Sequence, residues 1–221
     1  MTNLKSDLQI QNDVRDELMW DPEVNITDIG VTVKEGLVTL RGTVEMYGEK
    51  WAAERDALRI AGVRLLTNDL TVTPITGNLH SDTDIAHHVT DALLFDGSVP
   101  SKRVQVTVSD GWVTLKGTTD WYYQRNAAET DARRVLGVKG VDNDVMIVQP
   151  HVSASAIEAG IKQALVRTAE VDADTISVAV NGAHVTLTGT VHSWAEFDAA
   201  RNAAWRAKGV TNVVNAIVIQ A

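Results

Sequence analysis

The chain contains no cysteine, which excludes disulfides, thiol nucleophiles and thiolate metal sites together. Long apolar runs are also missing, and no segment approaches the roughly 18 apolar residues that a membrane-spanning helix requires. The first ten residues alternate polar and apolar side chains and have no apolar centre typical of a secretory signal. We therefore expect a cytoplasmic protein if Met1 is the native start.

Basic residues are too few for a nucleic-acid partner. Lysine and arginine number 20 against 29 aspartates and glutamates, a net charge of −9, whereas a nucleic-acid-binding domain needs a basic face to neutralise phosphates. The same charge opposes a general attraction to anionic lipid. Signatures of catalysis such as Gly-x-Ser-x-Gly, phosphate loops and His-Glu-x-x-His are absent. We expect no enzyme activity and no cofactor.

One short stretch occurs three times, at residues 36–43, 111–118 and 182–190. The first two copies share the pattern Gly-x-Val-Thr-Leu-x-Gly-Thr, and the third has one more residue between the glycine and the valine. The second glycine of the stretch recurs after 75 and then 72 residues. A period this long indicates whole small domains, because the units of solenoid proteins are shorter. We predict three domains, at residues 1–73, 81–148 and 153–221.

Each copy has the same order of predicted elements. A serine followed by apolar residues four positions apart predicts an amphipathic helix, and two alternating β-branched runs around a glycine predict a hairpin. An alanine-rich helix and a last apolar strand follow, and this last strand should lie parallel beside the second. The fold class is α+β, with αββαβ domains in which two helices pack on one face of a small mixed three-stranded sheet. In the third copy the turn glycine, Gly182, stands one position earlier, which predicts a different turn type.

Two glycines of each copy have predicted structural roles. One should end the second strand and let the backbone leave the sheet, and another should cap the second helix. The predicted strand-ending glycines are Gly42, Gly117 and Gly189, and the predicted capping glycines are Gly62, Gly137 and Gly209.

The chain resembles the BON (bacterial OsmY and nodulation) domain family over nearly its whole length. The residues that carry the resemblance are Val38-Leu40-Gly42-Val44, Ala53, Gly62-Val63 and Asn68, then Val113-Leu115-Gly117, Gly137-Val138 and Asn143, then Val185-Leu187-Gly189-Val191, Gly209-Val210 and Asn215. The second copy departs at Thr119, where the family pattern has valine. Residues 120–129 are similar to the same run in triple-copy members without a signal peptide. The resemblance implies the αββαβ fold, no catalytic residues, and roles in osmotic or envelope stress, lipid or ion binding, or chaperoning.

An asparagine recurs in the last strand of each copy, as Asn68, Asn143 and Asn215. These residues share the parity of the core-facing positions. A ligand-binding role is open, but an asparagine is better explained as a side chain that ties the helix-to-strand turn to itself.

Six aromatic residues are the candidate binding residues. Tyr47, Tyr122 and Trp194 occupy the same place at the start of the second helix, where they either staple the incoming chain or form a recognition surface. Trp51 aligns with Asn126 and Asp198, and Trp205 with Leu58 and Arg133. Since positions that accept charge are usually on the surface, we expect both tryptophans to be exposed. Trp112 is out of phase with the core-facing residues of its strand, and we expect it on the open sheet face. There it could contact another domain or a second chain.

His87 and His88, with Asp84 and Asp91, could form a metal cluster, but these residues also make ordinary helix-surface pairs. Adjacent histidines point about 100° apart on a helix, and we predict no metal site. First helices are acidic and second helices near neutral, so a lipid or protein partner should meet the second-helix side.

These observations favour a non-enzymatic protein that binds or scaffolds partners during osmotic or envelope stress. We expect phospholipid or protein clients to be engaged through the aromatic-flanked second helices, in a chaperone-like role, with self-association possible through the open sheet faces. The alternative is a cytosolic potassium-binding or potassium-sensing protein. Three copies favour multivalent binding over one buried active site.

Overall fold

The computed structural model describes residues 5–73, 80–168 and 172–220. Each repeat contains a helix, two strands, a second helix and a third strand, and a one-turn 3₁₀ helix precedes the first strand. The first repeat contains α1 (Asp7–Trp20), β1 (Ile29–Lys34), β2 (Leu37–Val44), α2 (Tyr47–Arg59) and β3 (Leu65–Val72). The second contains α3 (Asp82–Phe95), β4 (Val104–Ser109), β5 (Trp112–Thr119), α4 (Tyr122–Arg133) and β6 (Gly140–Ile147). The third contains α5 (Ala154–Arg167), β7 (Ile176–Asn181), β8 (His184–Val191), α6 (Trp194–Trp205) and β9 (Asn212–Ile219).

The three sheets have the same topology, in which the second strand of each repeat is central. β1 pairs antiparallel with β2, and β3 pairs parallel with β2 on its other edge. The third repeat has the same antiparallel and parallel pairs. The predicted α+β class, and the position of the last strand beside the second, are therefore confirmed. A crossover helix between parallel strands explains this order.

The described residues form three hydrophobic clusters, one in each repeat, between the helices and one sheet face. The stripe Ile10, Val14 and Leu18 of α1 is buried against Val38 and Leu40 of β2. These are the residues that the four-residue and two-residue periodicities selected. By spatial clustering the chain divides into two compact units, one built from residues 1–117 with 124–145 and the other from residues 118–123 with 146–221. None of the helices in residues 5–73, 80–168 and 172–220 combines the length and apolar character needed to cross a bilayer.

The hairpin turns differ between repeats, as the position of the glycine predicted. In the first turn Glu35 and Gly36 both have positive φ, of 53° and 74°, as a type I′ turn requires. The Asp7 carboxylate holds this turn by accepting hydrogen bonds from the amides of Glu35 and Gly36, at 2.7 and 3.0 Å. In the third repeat Gly182 has a φ of 61°. Ala154, which takes the place of Asp7, has no carboxylate to hold the turn.

The predicted role of Gly42 is wrong in its mechanism. β2 does not end at this glycine but continues to Val44, and the same holds for Gly117 in β5 and Gly189 in β8. Gly42 has a φ of +131°, and a Cβ atom there would lie 1.8 Å from the carbonyl oxygen of Asp28. The position therefore requires glycine because the 3₁₀ turn before β1 crosses directly over the strand.

The predicted helix cap at Gly62 is also displaced. The C-cap of α2 is Ile60, and Gly62 lies two residues beyond it with a φ of +97°. A Cβ atom on Gly62 would come within 2.9 Å of Ile10 Cδ1. The glycine thus lets α1 pack against the turn that follows α2. Gly137 and Gly209 have the same positive φ after α4 and α6.

Candidate functional site

A cleft lies between α2 of the first repeat and α4 of the second, inside the first compact unit. Its volume is about 280 Å³, close to the lower end of small-molecule sites. We call it the α2–α4 cleft, and its lining residues are Glu23, Glu45, Met46, Gly48, Glu49, Trp51, Thr130, Arg133 and Arg134. The cleft combines an aromatic ring and a thioether with charges of both signs.

The start of α2 is held by Glu49. Its carboxylate accepts hydrogen bonds from the amides of Asn25, at 2.7 Å, and Glu45, at 3.1 Å. The N-cap residue Met46 makes no side-chain capping bond, so Glu49 supplies the acidic group that a helix N-terminus favours. Gly48 then passes close to α4, since a Cβ atom on it would lie 3.4 Å from the carbonyl oxygen of Arg133.

Trp51 forms the aromatic wall of the cleft and is 37% exposed. The guanidinium carbons of Arg55 and Arg133 lie 5.4 and 5.0 Å from its ring centroid, within the range of cation–π contacts. Arg133 is also paired with Glu129 of its own helix. One face of the cleft is therefore an indole held between two cations, one from each repeat.

Tyr47 packs against the hydrophobic cluster of the second repeat. Burial raises the pKa of its hydroxyl, an effect opposed by the positive charge of Arg133. The two readings from the sequence were a staple at the start of its own helix and a recognition surface. The structure instead places this ring in a contact that joins the first and second repeats.

The corresponding aromatic of the second repeat, Tyr122, stacks on Trp205 within the second compact unit, with 4.4 Å between centroids and 9° between ring planes. Trp205 takes the repeat position of Arg133, so Tyr47 and Tyr122 both meet the same part of the following repeat. The expectation that Trp205 is exposed is wrong, because the ring is half-buried between Tyr122 and the core of the third repeat. Trp194 packs edge-on against Phe197 of its own helix, at 5.0 Å.

Trp112 lies on the sheet face opposite the helices and is 49% exposed. Its indole nitrogen donates a hydrogen bond to Asp142 on the neighbouring strand, at 2.9 Å. A Cβ atom on Gly140 would lie 2.6 Å from the ring, so the indole rests directly on the backbone of that strand. The indole of Trp112 thus packs on the neighbouring strand of its own sheet.

The recurrent asparagines bridge the last strand and the second helix. Asn68 donates from its amide nitrogen to the Lys50 carbonyl at 3.0 Å and to Glu54 at 3.1 Å. Asn143 makes the equivalent bonds to Arg125 and Glu129. Asn215 donates to the Phe197 carbonyl at 3.2 Å, and Arg201 stands where the other repeats have the glutamate. We expected these hydrogen bonds to lie within the helix-to-strand turn, but they join the last strand to the body of the second helix.

A pair of carboxyls lies beneath the end of the first helix in two repeats. In the first repeat Arg55 bridges Asp21 and the fully buried Asp56, with Nε of Arg55 2.9 Å from Asp56 Oδ1. Burial raises the pKa of Asp56, and the hydrogen bond from Arg55 opposes this. A hydrogen bond from the amide of Glu23 lowers the pKa of Asp21. Arg55 is thus a cation that the two carboxyls share, and Arg59 lies 3.5 Å from Asp56.

The second repeat has the carboxyl pair, Asp96 and Asp131, but Thr130 stands where the first repeat has Arg55. Burial raises the pKa of Asp131 to about 6, and the negative charge of Asp96 adds to this. The third repeat has Thr168 and Ala203 at the two positions and lacks the pair. The same position in the fold therefore holds a carboxyl pair bridged by arginine in the first repeat, a carboxyl pair with threonine in place of that arginine in the second, and no carboxyl pair in the third.

Asp131→Asn is expected to stabilise the second repeat near neutral pH. The pKa of Asp131 is higher in the folded state, about 6, than its ordinary value of 3.8, so the folded chain binds a proton more readily between these values. Stability from this group is present at low pH and is lost as pH rises through 6. Because the carboxyl is partly accessible to solvent, its ionisation should lower the free energy of unfolding at pH 7 by about 1 to 2 kcal/mol, which the variant regains. Thermal unfolding from pH 4 to 7.5 measures it.

The control for this substitution is Asp144→Asn, which removes an exposed carboxylate from β6. The Asp131 variant should show a flatter pH dependence than the parent, with its gain confined to higher pH. A gain of equal size at all pH values, or an equal gain in the control, would contradict the assignment.

Two large exposed aromatic residues were not predicted from the sequence. Trp20 at the end of α1 and Phe95 at the end of α3 are each 85% exposed. The sequence contained the information needed to find them, because Trp20 lies two residues beyond the buried Leu18 and is therefore turned about 200° away from the apolar stripe.

In the described part of the chain, no three histidine, aspartate or glutamate side chains come together as a metal site. His88 packs instead against His80, with 5.4 Å between ring centroids.

Comparisons with known proteins agree with the repeat architecture. The Osmotically-inducible protein Y of Escherichia coli K12 is 34% identical over 147 residues, which cover 65% of this chain and 73% of that protein. Among solved structures, CdsD, a structural protein of the type III secretion system of Chlamydia trachomatis, is 15% identical and covers 95% of this chain and 91% of its own. Its TM-score is 0.27, too low to indicate a shared arrangement. The BON domain family model matches residues 6–74, 81–149 and 153–221. The chain therefore belongs to the BON family, of which it contains three tandem copies.

Proposed function

We propose that this protein is a non-enzymatic binding or scaffold protein of the osmotic stress response, and that it engages an amphipathic partner at the α2–α4 cleft. The link to osmotic stress comes from the similarity to Osmotically-inducible protein Y. The partner is a phospholipid or a protein segment that presents both apolar and charged groups.

The observation that carries the proposal is the composition of the cleft. Trp51 and Met46 offer apolar surface, while Arg133 and Arg134 lie on one side and Glu23 and Glu45 on the other. Arg134 is exposed at the rim. Mixed apolar and charged linings with one indole are typical of surfaces that bind headgroups or peptides. Buried contacts between the repeats, such as the one made by Tyr47, hold the two walls in place.

The proposal is tested by binding and by protection from aggregation. The protein is mixed with phosphatidylglycerol or phosphatidylcholine vesicles and sedimented, and separately mixed with a heat-denatured client whose light scattering is followed. We expect at least one of the two activities, and Trp51→Asn should weaken it by roughly fivefold or more, about 1 kcal/mol, because an interfacial indole is removed.

Asparagine is chosen because the second repeat has Asn126 at the position of Trp51, so the backbone accepts it. The control is Tyr123→Ser, which removes a 58% exposed aromatic from outside the cleft. Absence of both activities in the parent, or equal loss in the two variants, would overturn the assignment of the cleft.

A further inference from the structure

The first helices of two repeats end in a pair of exposed apolar side chains. In α1 these are Met19 and Trp20, 69% and 85% exposed, and in α3 they are Leu94 and Phe95, 61% and 85% exposed. We call these two pairs the helix-end doublets. The residue before each doublet, Leu18 or Leu93, is buried in the core. The doublets therefore continue the helix beyond the part that packing requires.

Single exposed apolar residues are common on protein surfaces, but these doublets recur at the same place in two repeats. Each one joins a large aromatic ring to an unbranched or γ-branched aliphatic chain, and solvating the two side chains together costs free energy. Repeated exposed apolar surface of this kind is typical of a contact site. The fold alone gives no reason for the doublets.

The surface around the doublets is acidic. Near its doublet α1 has Asp16 and Glu17 against Arg15. Asp13 is paired with Lys5, and Asp7, at the other end of the helix, binds the hairpin turn. α3 has no lysine or arginine, and Asp91 lies near its doublet, while Asp82 and Asp84 lie in the first turn at the other end of the helix. Neither helix has a basic residue in its last turn, and an aspartate follows each doublet as the C-cap. The partial negative charge of the helix C-terminus adds to this field.

Basic residues from the second helices do not reverse the charge. Arg55 of α2 is bound to Asp21, Glu23 and Asp56, and Arg59 lies 3.6 Å from Glu17 and 3.5 Å from Asp56. In the second repeat Arg134 lies near Asp131. Arg55 and Arg59 are thus already matched by carboxylates of the first repeat, and Arg134 offsets only part of the charge of Asp96 and Asp131.

The third repeat is a natural contrast. Its first helix, α5, ends in Val166 and Arg167, so a cation replaces the aromatic ring. Glu158 is its acidic residue, and it is paired with Lys162 at 2.6 Å. The combination of an aromatic doublet and an acidic helix therefore occurs in the first and second repeats and not in the third.

We propose that α1 and α3 bind a cationic amphipathic peptide segment of a partner protein. Its apolar residues cover the doublets, and its lysines or arginines meet Asp16 and Asp91, two exposed carboxylates that each lie four residues before the aromatic of a doublet, on the same helix face. Complementary charge around an apolar anchor gives such a contact its specificity. An anionic membrane would be repelled by the same carboxylates, so it is the disfavoured occupant. This surface is separate from the α2–α4 cleft.

The test uses the full chain and a fluorescent amphipathic helical peptide of leucine and lysine, with binding followed by anisotropy. We expect measurable binding that weakens as salt is raised, and weakening of roughly tenfold or more in the double variant Trp20→Ser, Phe95→Ser. A peptide of the same pattern with glutamate in place of lysine should bind at least roughly tenfold less.

Tyr123→Ser is the matched control, since it removes a 58% exposed aromatic from outside the doublets and the α2–α4 cleft, and it should not change the affinity for the peptide. The doublet residues are highly exposed, so the double variant should keep the melting temperature of the parent, which is measured alongside. The proposal is overturned if the lysine peptide does not bind, if it binds the double variant equally, or if the glutamate peptide binds as well. It is also overturned if the double variant loses binding to phosphatidylglycerol vesicles while the peptide fails to bind the parent.

Discussion

Gly42→Ala is expected to cost the first repeat roughly 3 kcal/mol or more and to unfold it well below the melting temperature of the parent. A Cβ atom at this position would lie 1.8 Å from the backbone oxygen of Asp28 and 3.0 Å from the adjoining carbonyl carbon. Backbone atoms cannot rotate away as a flexible side chain can. The φ of +131° adds strain for any residue with a side chain.

Hydrogen exchange followed by mass spectrometry measures this effect repeat by repeat, and protection should be lost in β1, β2 and α1. The control is Gly160→Ala in α5, where a new Cβ atom meets nothing within 4 Å. Alanine there should stabilise the helix by about 0.5 to 1 kcal/mol. If Gly42→Ala melted within a degree of the parent, the close crossing of the 3₁₀ turn over β2 would be wrong.

Arg55→Thr is expected to destabilise the first repeat by about 2 kcal/mol at pH 7. The substitution leaves the fully buried Asp56 beside Asp21 and Glu23 without their shared cation, while Arg59 stays 3.5 Å from Asp56. Threonine is the residue that the second repeat has at this position, Thr130. The variant therefore gives the carboxyl pair of the first repeat the same threonine neighbour that the pair of the second repeat has.

The pH dependence separates this explanation from a loss of packing. Without Arg55 the pKa of Asp56, already raised by burial, should rise further. A raised folded-state pKa makes stability fall as pH rises, so the difference between variant and parent should shrink as pH is lowered toward 4.5. Chemical unfolding at several pH values measures it.

Arg41→Thr is the matched control, because Arg41 forms an exposed pair with Asp69 at 3.4 Å and its side chain is 74% exposed. Its loss should cost less than about 0.5 kcal/mol. A pH-independent loss in the Arg55 variant would show that the aliphatic stem of Arg55, rather than its charge, stabilises the repeat.

The recurrence of glycine correctly marked Gly42 and Gly62 as structurally important, but the predicted roles, a strand end and a helix cap, were wrong. A conserved spacing within the chain reveals that Gly42 and Gly62 cannot accept a side chain. It does not reveal what the side chain would strike, because Asp28 and Ile10 come from segments 14 and 52 residues earlier in the chain. The same limit applies to Asn68, whose partners Lys50 and Glu54 lie on the helix that packs over its strand.

The candidate site was predicted in part. Exposure of Trp51 followed from its alignment with Asn126 and Asp198, and the structure places it on a cleft wall at 37% exposure. Tyr47 and Tyr122 were recognised as equivalent, but which repeat they would touch could not be deduced. That choice depends on how neighbouring modules pack, and no local periodicity describes it.

By itself the sequence determined the class of the modules, their number, the order of their elements and the side chains that fill each core. These properties follow from the alternation of apolar residues along each element, which is local. Only the tertiary structure decided why glycine is required at each repeat, which carboxyls share a cation and which aromatics remain in solvent. Those outcomes depend on distances between residues far apart in the chain, and such distances are fixed only when the helices and strands have packed together.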